Sequence, residues 1–78
     1  MSATKRFEYI LQLCQTVINL SKNSSDKSLT IDAYFLQAVS YYRLHKPLES
    51  VAAFNAGKRI RKRVEESQVH VAKPQSFE

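Results

Sequence analysis

The 78-residue sequence has no tryptophan, one cysteine, one glycine and two prolines. The single cysteine, Cys14, excludes a disulfide within the chain and is typical of proteins kept in a reducing compartment. Few helix-breaking residues favour long helices over many short strands. No apolar run is long enough for a secretion signal or a membrane span. We therefore expect an all-α protein that works inside the cell, in the cytoplasm or the nucleus.

Patterns of catalytic and metal-binding residues are also missing. The sequence has no glycine-rich phosphate loop, no nucleophile–base pair and no carboxylate pair, and its seven acidic residues are scattered. His45 and His70 stand apart from each other and from any cysteine or carboxylate at metal-ligand spacing. The sequence predicts a protein that is not an enzyme and that binds no metal or other cofactor.

The first predicted helix begins at Ser2 or Thr4 and ends near Lys22. It carries two apolar rows at three- and four-residue steps, which is helical spacing. The main row consists of Phe7, Ile10, Leu11, Cys14, Val17 and Ile18, and the second row of Tyr9, Leu13 and Leu20. Because a surface helix needs only one apolar stripe, two rows indicate contact with two neighbours. One neighbour could be a second copy of the chain, which would make this helix an oligomerisation element.

Two further helices are predicted to form an antiparallel hairpin. The second helix begins with Thr30 as its N-cap and Asp32 in its first turn, and it ends near His45. The third helix begins at Pro47, where a missing N–H costs nothing. Its predicted buried side consists of Leu48, Val51, Ala52, Phe54, Ile60 and Val64. We expect one three-helix domain over residues 1–68 and a flexible tail over residues 69–78.

The predicted hairpin resembles a tetratricopeptide repeat over residues 31–64, about one repeat. Its small residues, which would let the two helices approach closely, are Ala38, Ser50 and Gly57, and the aromatic residues between them are Tyr34, Tyr41 and Phe54. The match departs from the family at Gln37, Pro47 and Lys62, near which a leucine, an aromatic residue and a proline are usual. A three-helix chain of this length also resembles the microtubule-interacting-and-trafficking domain. That domain joins its first two helices tightly, whereas here they are separated by a long loop.

The tetratricopeptide resemblance implies an adaptor that binds another protein. Such repeats bind helices or peptides in a groove lined by their first helices, and the corresponding positions here are Asp32, Phe35, Leu36, Val39, Tyr42 and Arg43. Phe35 and Val39 are apolar, which favours an apolar helix or peptide over the acidic tail of a chaperone. A single repeat does not bury its own face. The exposed face of the repeat could be buried by the first helix, by a second copy of the chain, by a partner or by the rest of a longer repeat protein.

A basic run in the third helix supports an alternative function. The net charge is +5, and five positive charges fall within six residues: Lys58, Arg59, Arg61, Lys62 and Arg63. Such residues could contact the phosphates of a nucleic acid or an anionic surface. At 100° per residue they surround most of the helix, and the inward-facing Ile60 and Val64 would split them across two flanks. A solvated helix face and an anion-binding site both remain open interpretations.

Overall fold

A computed structural model describes residues 2–72 of the chain, with side chains through Gln68. It contains three helices: α1 (Ala3–Ser21), α2 (Ser28–Arg43) and α3 (Pro47–Ala72). Within these residues α2 is the central element, because α1 and α3 each pack against α2 and not against each other. The all-α, three-helix fold predicted from the sequence is confirmed.

The α1–α2 pair is antiparallel and encloses the main hydrophobic cluster. Cys14, Ile18 and Ala33 are buried there, with Ile10, Val17 and Tyr34 packed around them. Gln37 donates to Gln15 across the interface at 3.3 Å. At the start of α1, the Ser2 hydroxyl accepts a hydrogen bond from the Lys5 amide at 3.2 Å, so Ser2 is the N-cap.

The start of α2 corrects the predicted N-cap. Thr30 lies inside the helix and is buried, and its hydroxyl is 2.5 Å from that of Ser21. The helix begins two residues earlier because Asp26 organises the preceding turn. Its carboxylate accepts from the Ser28 amide at 3.0 Å and from the Ser28 hydroxyl at 2.6 Å. Asp32 therefore lies in the second turn of α2 and not in the first.

The α2–α3 connection is a tight turn, as predicted. His45 adopts a left-handed conformation with φ of 60°. The Lys46 amide donates to the Tyr41 carbonyl at 2.9 Å and the His45 amide to the Tyr42 carbonyl at 3.0 Å, which is the Schellman arrangement. Pro47 then opens α3. The turn satisfies the last carbonyls of α2 and reverses the chain direction.

The α2–α3 pair is close because small residues line the contact, as the sequence predicts. Ala38, Ala53 and Gly57 are buried, and the Ser50 hydroxyl donates to the Ala38 carbonyl at 2.7 Å. A Cβ added to Gly57 would lie 2.7 Å from a carbon of the Phe35 ring and 3.2 Å from Tyr34 Cβ. Any other residue at this position would have to displace the Phe35 ring.

The third helix differs from its predicted form in two ways. Leu48, Val51 and Ala52 are exposed, because α3 touches only one helix and so buries a narrow stripe. The helix also continues to Ala72, past the predicted start of the tail, since no glycine or proline occurs between Gly57 and Pro74. The rest of the predicted tail, residues 73–78, lies outside the described residues.

The three helices form a single layer, because α1 and α3 each pack against α2 and not against each other. Over residues 2–72 none of the helices has the length and apolar character needed to cross a membrane.

Candidate interaction surface

The side of α2 that faces neither α1 nor α3 carries most of the sequence-predicted binding residues. Leu36, Val39 and Tyr42 are exposed, and Tyr42 is the most exposed of the three at 70%. Asp32 and Arg43 are exposed on the same side. The spacing of these residues places them on one helical face, because positions three, four and seven residues apart share a face. The structure thus brings together five of the six predicted residues.

Phe35, the sixth predicted residue, is half-buried against α3. Its ring centroid is 5.5 Å from that of Phe54, and the Arg61 guanidinium lies 5.3 Å from the Phe35 centroid. Gly57 leaves the space for this ring. Phe35 therefore holds the hairpin together and borders the exposed face instead of forming its centre.

Two residues of α3 extend the exposed face of α2. Val51 and Phe54 are about half exposed, and they line a shallow groove with Val39 and Tyr42. The groove has a volume of about 260 Å³, and Ala38 and Ser50 form its base. We call the set Leu36, Val39, Tyr42, Val51 and Phe54 the apolar surface. The sequence pattern predicted that Val51 and Phe54 lie on the buried side of α3, and for these two residues the prediction is wrong. The small residues Ser50, Ala53 and Gly57 form the stripe of α3 that contacts α2. Their spacing was the signal in the sequence that this stripe, and not Val51 and Phe54, is buried.

The predicted basic cluster is divided between two flanks of α3, as expected from the inward-facing Ile60 and Val64. Lys58, Arg59, Arg61 and Lys62 line one shallow pocket on the outer flank, whereas Arg63 lines a separate groove with residues of α1 and α2. Arg61 is 3.9 Å from Glu65, and this is the single ion pair within residues 2–68. The five charges do not form one site.

Two basic residues of the outer flank lie beside the aromatic residues of the hairpin. The Lys58 ammonium is 5.3 Å from the Phe54 ring centroid, and Arg61 stacks on Phe35 as described. Such cation–π contacts fix the long side chains against the rings. The apolar surface is therefore bordered by positive charge at its α3 edge. The four-residue step from Phe54 to Lys58 signals this contact in the sequence.

Arg43 has a structural contact in addition to its exposed position. Its guanidinium carbon lies 5.8 Å from the Phe7 ring centroid, which ties the end of α2 to the start of α1. A second exposed apolar row lies on α1, where Tyr9, Leu13 and Leu20 point away from the main cluster. Both apolar rows predicted for α1 are thus present, and only one of them contacts α2.

Cys14 and Asp26 have shifted pKa values, and both lie outside the apolar surface. Burial raises the pKa of the Cys14 thiol because it disfavours the thiolate. Hydrogen bonds from the Ser28 side chain and amide lower the pKa of the Asp26 carboxyl. Both shifts have structural causes. Among the described residues, no group of three His, Cys, Asp or Glu side chains could hold a metal ion.

No protein-family model matches this chain, and neither do the curated protein sequences or solved structures with which it was compared.

Proposed function

We propose that this protein is a non-enzymatic adaptor whose apolar surface binds a helix or an extended peptide of another protein. The observation that carries the proposal is the continuous exposed groove formed by Val39 and Tyr42 of α2 with Val51 and Phe54 of α3. Exposed apolar patches of this kind mark interaction sites in folded proteins. Tyrosine is typical of the residues that contribute most to binding at such patches, and Tyr42 is the most exposed residue of this groove.

The extent of exposed surface supports the same proposal. Val39, Tyr42 and Val51 each expose more than half of their surface to solvent, and a bound segment would cover these side chains. A tetratricopeptide-like hairpin would present this same side of its first helix to a ligand, in agreement with the proposed role.

The test compares two tyrosines that are exposed on different helices. Tyr42→Ala should weaken the capture of a partner by roughly tenfold or more, because it removes an exposed aromatic ring that lines the groove. Tyr9→Ala is the matched control, since Tyr9 is 56% exposed and lies on α1. The measurement is quantitative pull-down with the wild-type protein and both variants at the same temperature. Equal capture by all three proteins would refute the proposed surface.

The partner could also be a second copy of the chain, and sedimentation over a dilution series tests this version. Self-association through the apolar surface should be lost in Tyr42→Ala and kept in Tyr9→Ala. If Tyr9→Ala and Leu20→Ala abolish it instead, the exposed row of α1 is the dimer contact. In that case the apolar surface remains available for a different protein.

A second candidate function is the binding of nucleic acid or an anionic surface by the outer flank of α3. It is favoured by the position of Lys58, Arg59 and Lys62, which lie on one side of the helix. Replacing these three residues by glutamine should abolish binding of a DNA oligonucleotide, and the wild-type affinity should fall steeply with added salt. Affinity that is insensitive to salt would exclude this function.

A further inference from the structure

A second groove lies on the other side of the helix layer. It is formed where the end of α1, the start of α2 and the middle of α3 come together, and its volume is about 770 Å³. Thr30 and Tyr34 line this groove, whereas Val39 lines the apolar surface. Thr30 and Val39 are nine residues apart, which at 100° per residue places them on opposite sides of α2. The two grooves are therefore separate.

The walls of this second groove are basic. Lys22 and Lys27 stand on one wall, at the end of α1 and the start of α2, and Arg63 stands on the α3 wall. No acidic side chain is present among the described residues that line it. Asp26 is adjacent in sequence, but its carboxylate is hydrogen-bonded to Ser28. The Lys27 ammonium donates to the Lys22 carbonyl at 2.5 Å and so covers the end of α1.

The floor of this groove is apolar. Ile18 is buried at its base, and Tyr34, Ile60 and Val64 are half-buried along it. Polar side chains such as Asn19 and Ser67 lie between the floor and the basic walls. Because α1 and α3 do not pack against each other, the groove is open between them beside Thr30 and Tyr34 of α2. An occupant could therefore enter as a chain segment.

We propose that this second groove binds an acidic peptide segment that also carries apolar side chains. Carboxylates would pair with Lys22 and Arg63 on opposite walls, while one or two apolar side chains would cover Ile60 and Val64. The apolar floor distinguishes such a peptide from a simple phosphate compound, which would leave the floor uncovered. Lys22 and Arg63 are exposed and have no acidic partner among the described residues, so their pairing with a ligand would break no existing ion pair.

The experiment is a titration of the isotope-labelled full chain, followed by backbone amide NMR. The probe is a synthetic peptide of glutamates interrupted by two leucines one helical turn apart. Amide signals around Lys22, Thr30 and Arg63 should shift together, and those around Val51 and Phe54 should not. A peptide with glutamine at every glutamate position is the control for charge, and a peptide with alanine at both leucine positions is the control for the floor contact.

Two double variants with equal charge test the position of the site. Lys22→Gln combined with Arg63→Gln should weaken binding of the acidic peptide by about tenfold, as expected for the loss of two exposed ion pairs. Lys58→Gln combined with Lys62→Gln removes the same charge from the outer flank of α3 and should change the affinity less than twofold. All four side chains are exposed, so both variants should keep the wild-type melting temperature.

Each outcome decides the proposal. Equal weakening by the two double variants would mean that the peptide responds only to net charge, and would overturn it. If the alanine peptide binds as tightly as the leucine peptide, the apolar floor does not contribute to binding, and the proposal is overturned as well. Inorganic pyrophosphate or a DNA oligonucleotide that shifts the same amides more strongly than the peptide would assign the groove to phosphates instead. None of these results depends on Tyr42, so this proposal can fail while the proposed function stands.

Discussion

The inner and outer sides of α2 differ in the size and polarity of the residues they carry. The inner side, packed between α1 and α3, buries only small or polar residues, namely Thr30, Ala33, Gln37, Ala38 and Ser40. The outer side exposes three large apolar residues, Leu36, Val39 and Tyr42. The large side chains of α2 that contact α1 or α3, Tyr34 and Phe35, are only half-buried. Leu36, Val39 and Tyr42 are exposed and so are available to a partner.

The largest expected effect comes from the α1 side of the inner contact. Ile18→Ala should lower the free energy of unfolding by about 3 kcal/mol, because Ile18 is the one large aliphatic side chain that is buried among the described residues. The measurement is denaturant unfolding followed by circular dichroism. Leu20→Ala is the matched control, since Leu20 is 81% exposed on the same helix. Equal losses in the two variants would contradict the described core.

The second-largest loss of stability is expected where α2 and α3 pack closely against each other. Gly57→Ala should lower the free energy of unfolding by about 1–2 kcal/mol, because the clash with Phe35 and Tyr34 outweighs the better helix propensity of alanine. In a Phe35→Ala background the same substitution should lose most of its cost, which a double-mutant cycle measures. A Gly57→Ala variant more stable than the wild type would show that the helices lie further apart than described.

A smaller effect, of opposite sign, is expected at the turn that positions α3. His45→Gly should raise the free energy of unfolding by about 0.5–1 kcal/mol, because the left-handed conformation of His45 is strained for any residue with a side chain. Thermal unfolding at neutral pH measures the change. His45→Ala is the control, since it keeps the strain and should give no gain. A gain of the same size in both variants would point to a cause other than the turn.

The smallest effect is the pH dependence contributed by Asp26. Its folded-state pKa lies below the ordinary value of 3.8, so the unfolded state binds the proton more readily. The contribution of Asp26 is therefore complete above pH 3.8 and is lost as the pH falls through the lowered pKa. Asp26→Asn, which keeps an oxygen acceptor but does not titrate there, should make the loss of stability in acid less steep. Identical acid-unfolding curves for the two proteins would contradict this assignment.

Much of the fold follows from local patterns in the sequence. Apolar spacing predicts the three helices, Pro47 predicts the start of α3, and the small residues Ala38, Ser50 and Gly57 predict the close hairpin contact. These features are visible because each depends on residues within one or two helical turns. The exposed side of α2 was expected only from the resemblance to a tetratricopeptide repeat, which implies a groove at these positions.

The features that the sequence did not predict depend mainly on how many other helices pack against each helix. Val51 and Phe54 have the spacing of buried residues, but only a three-dimensional structure shows that α3 has one neighbour and leaves them exposed. Thr30 has the properties of an N-cap, but the turn made by Asp26 starts the helix earlier. The basic groove combines residues from three helices, and Arg63 in the sequence is indistinguishable from the rest of its basic run.

The large apolar residues on the outer side of α2 do not hold the fold together in this structure. Equilibrium unfolding of the triple variant Leu36→Ser, Val39→Ser and Tyr42→Ser measures their contribution to stability. We expect a free energy of unfolding within about 1 kcal/mol of the wild-type value, as for other exposed positions. A loss as large as that caused by Ile18→Ala would show that these side chains belong to the core and would contradict the account.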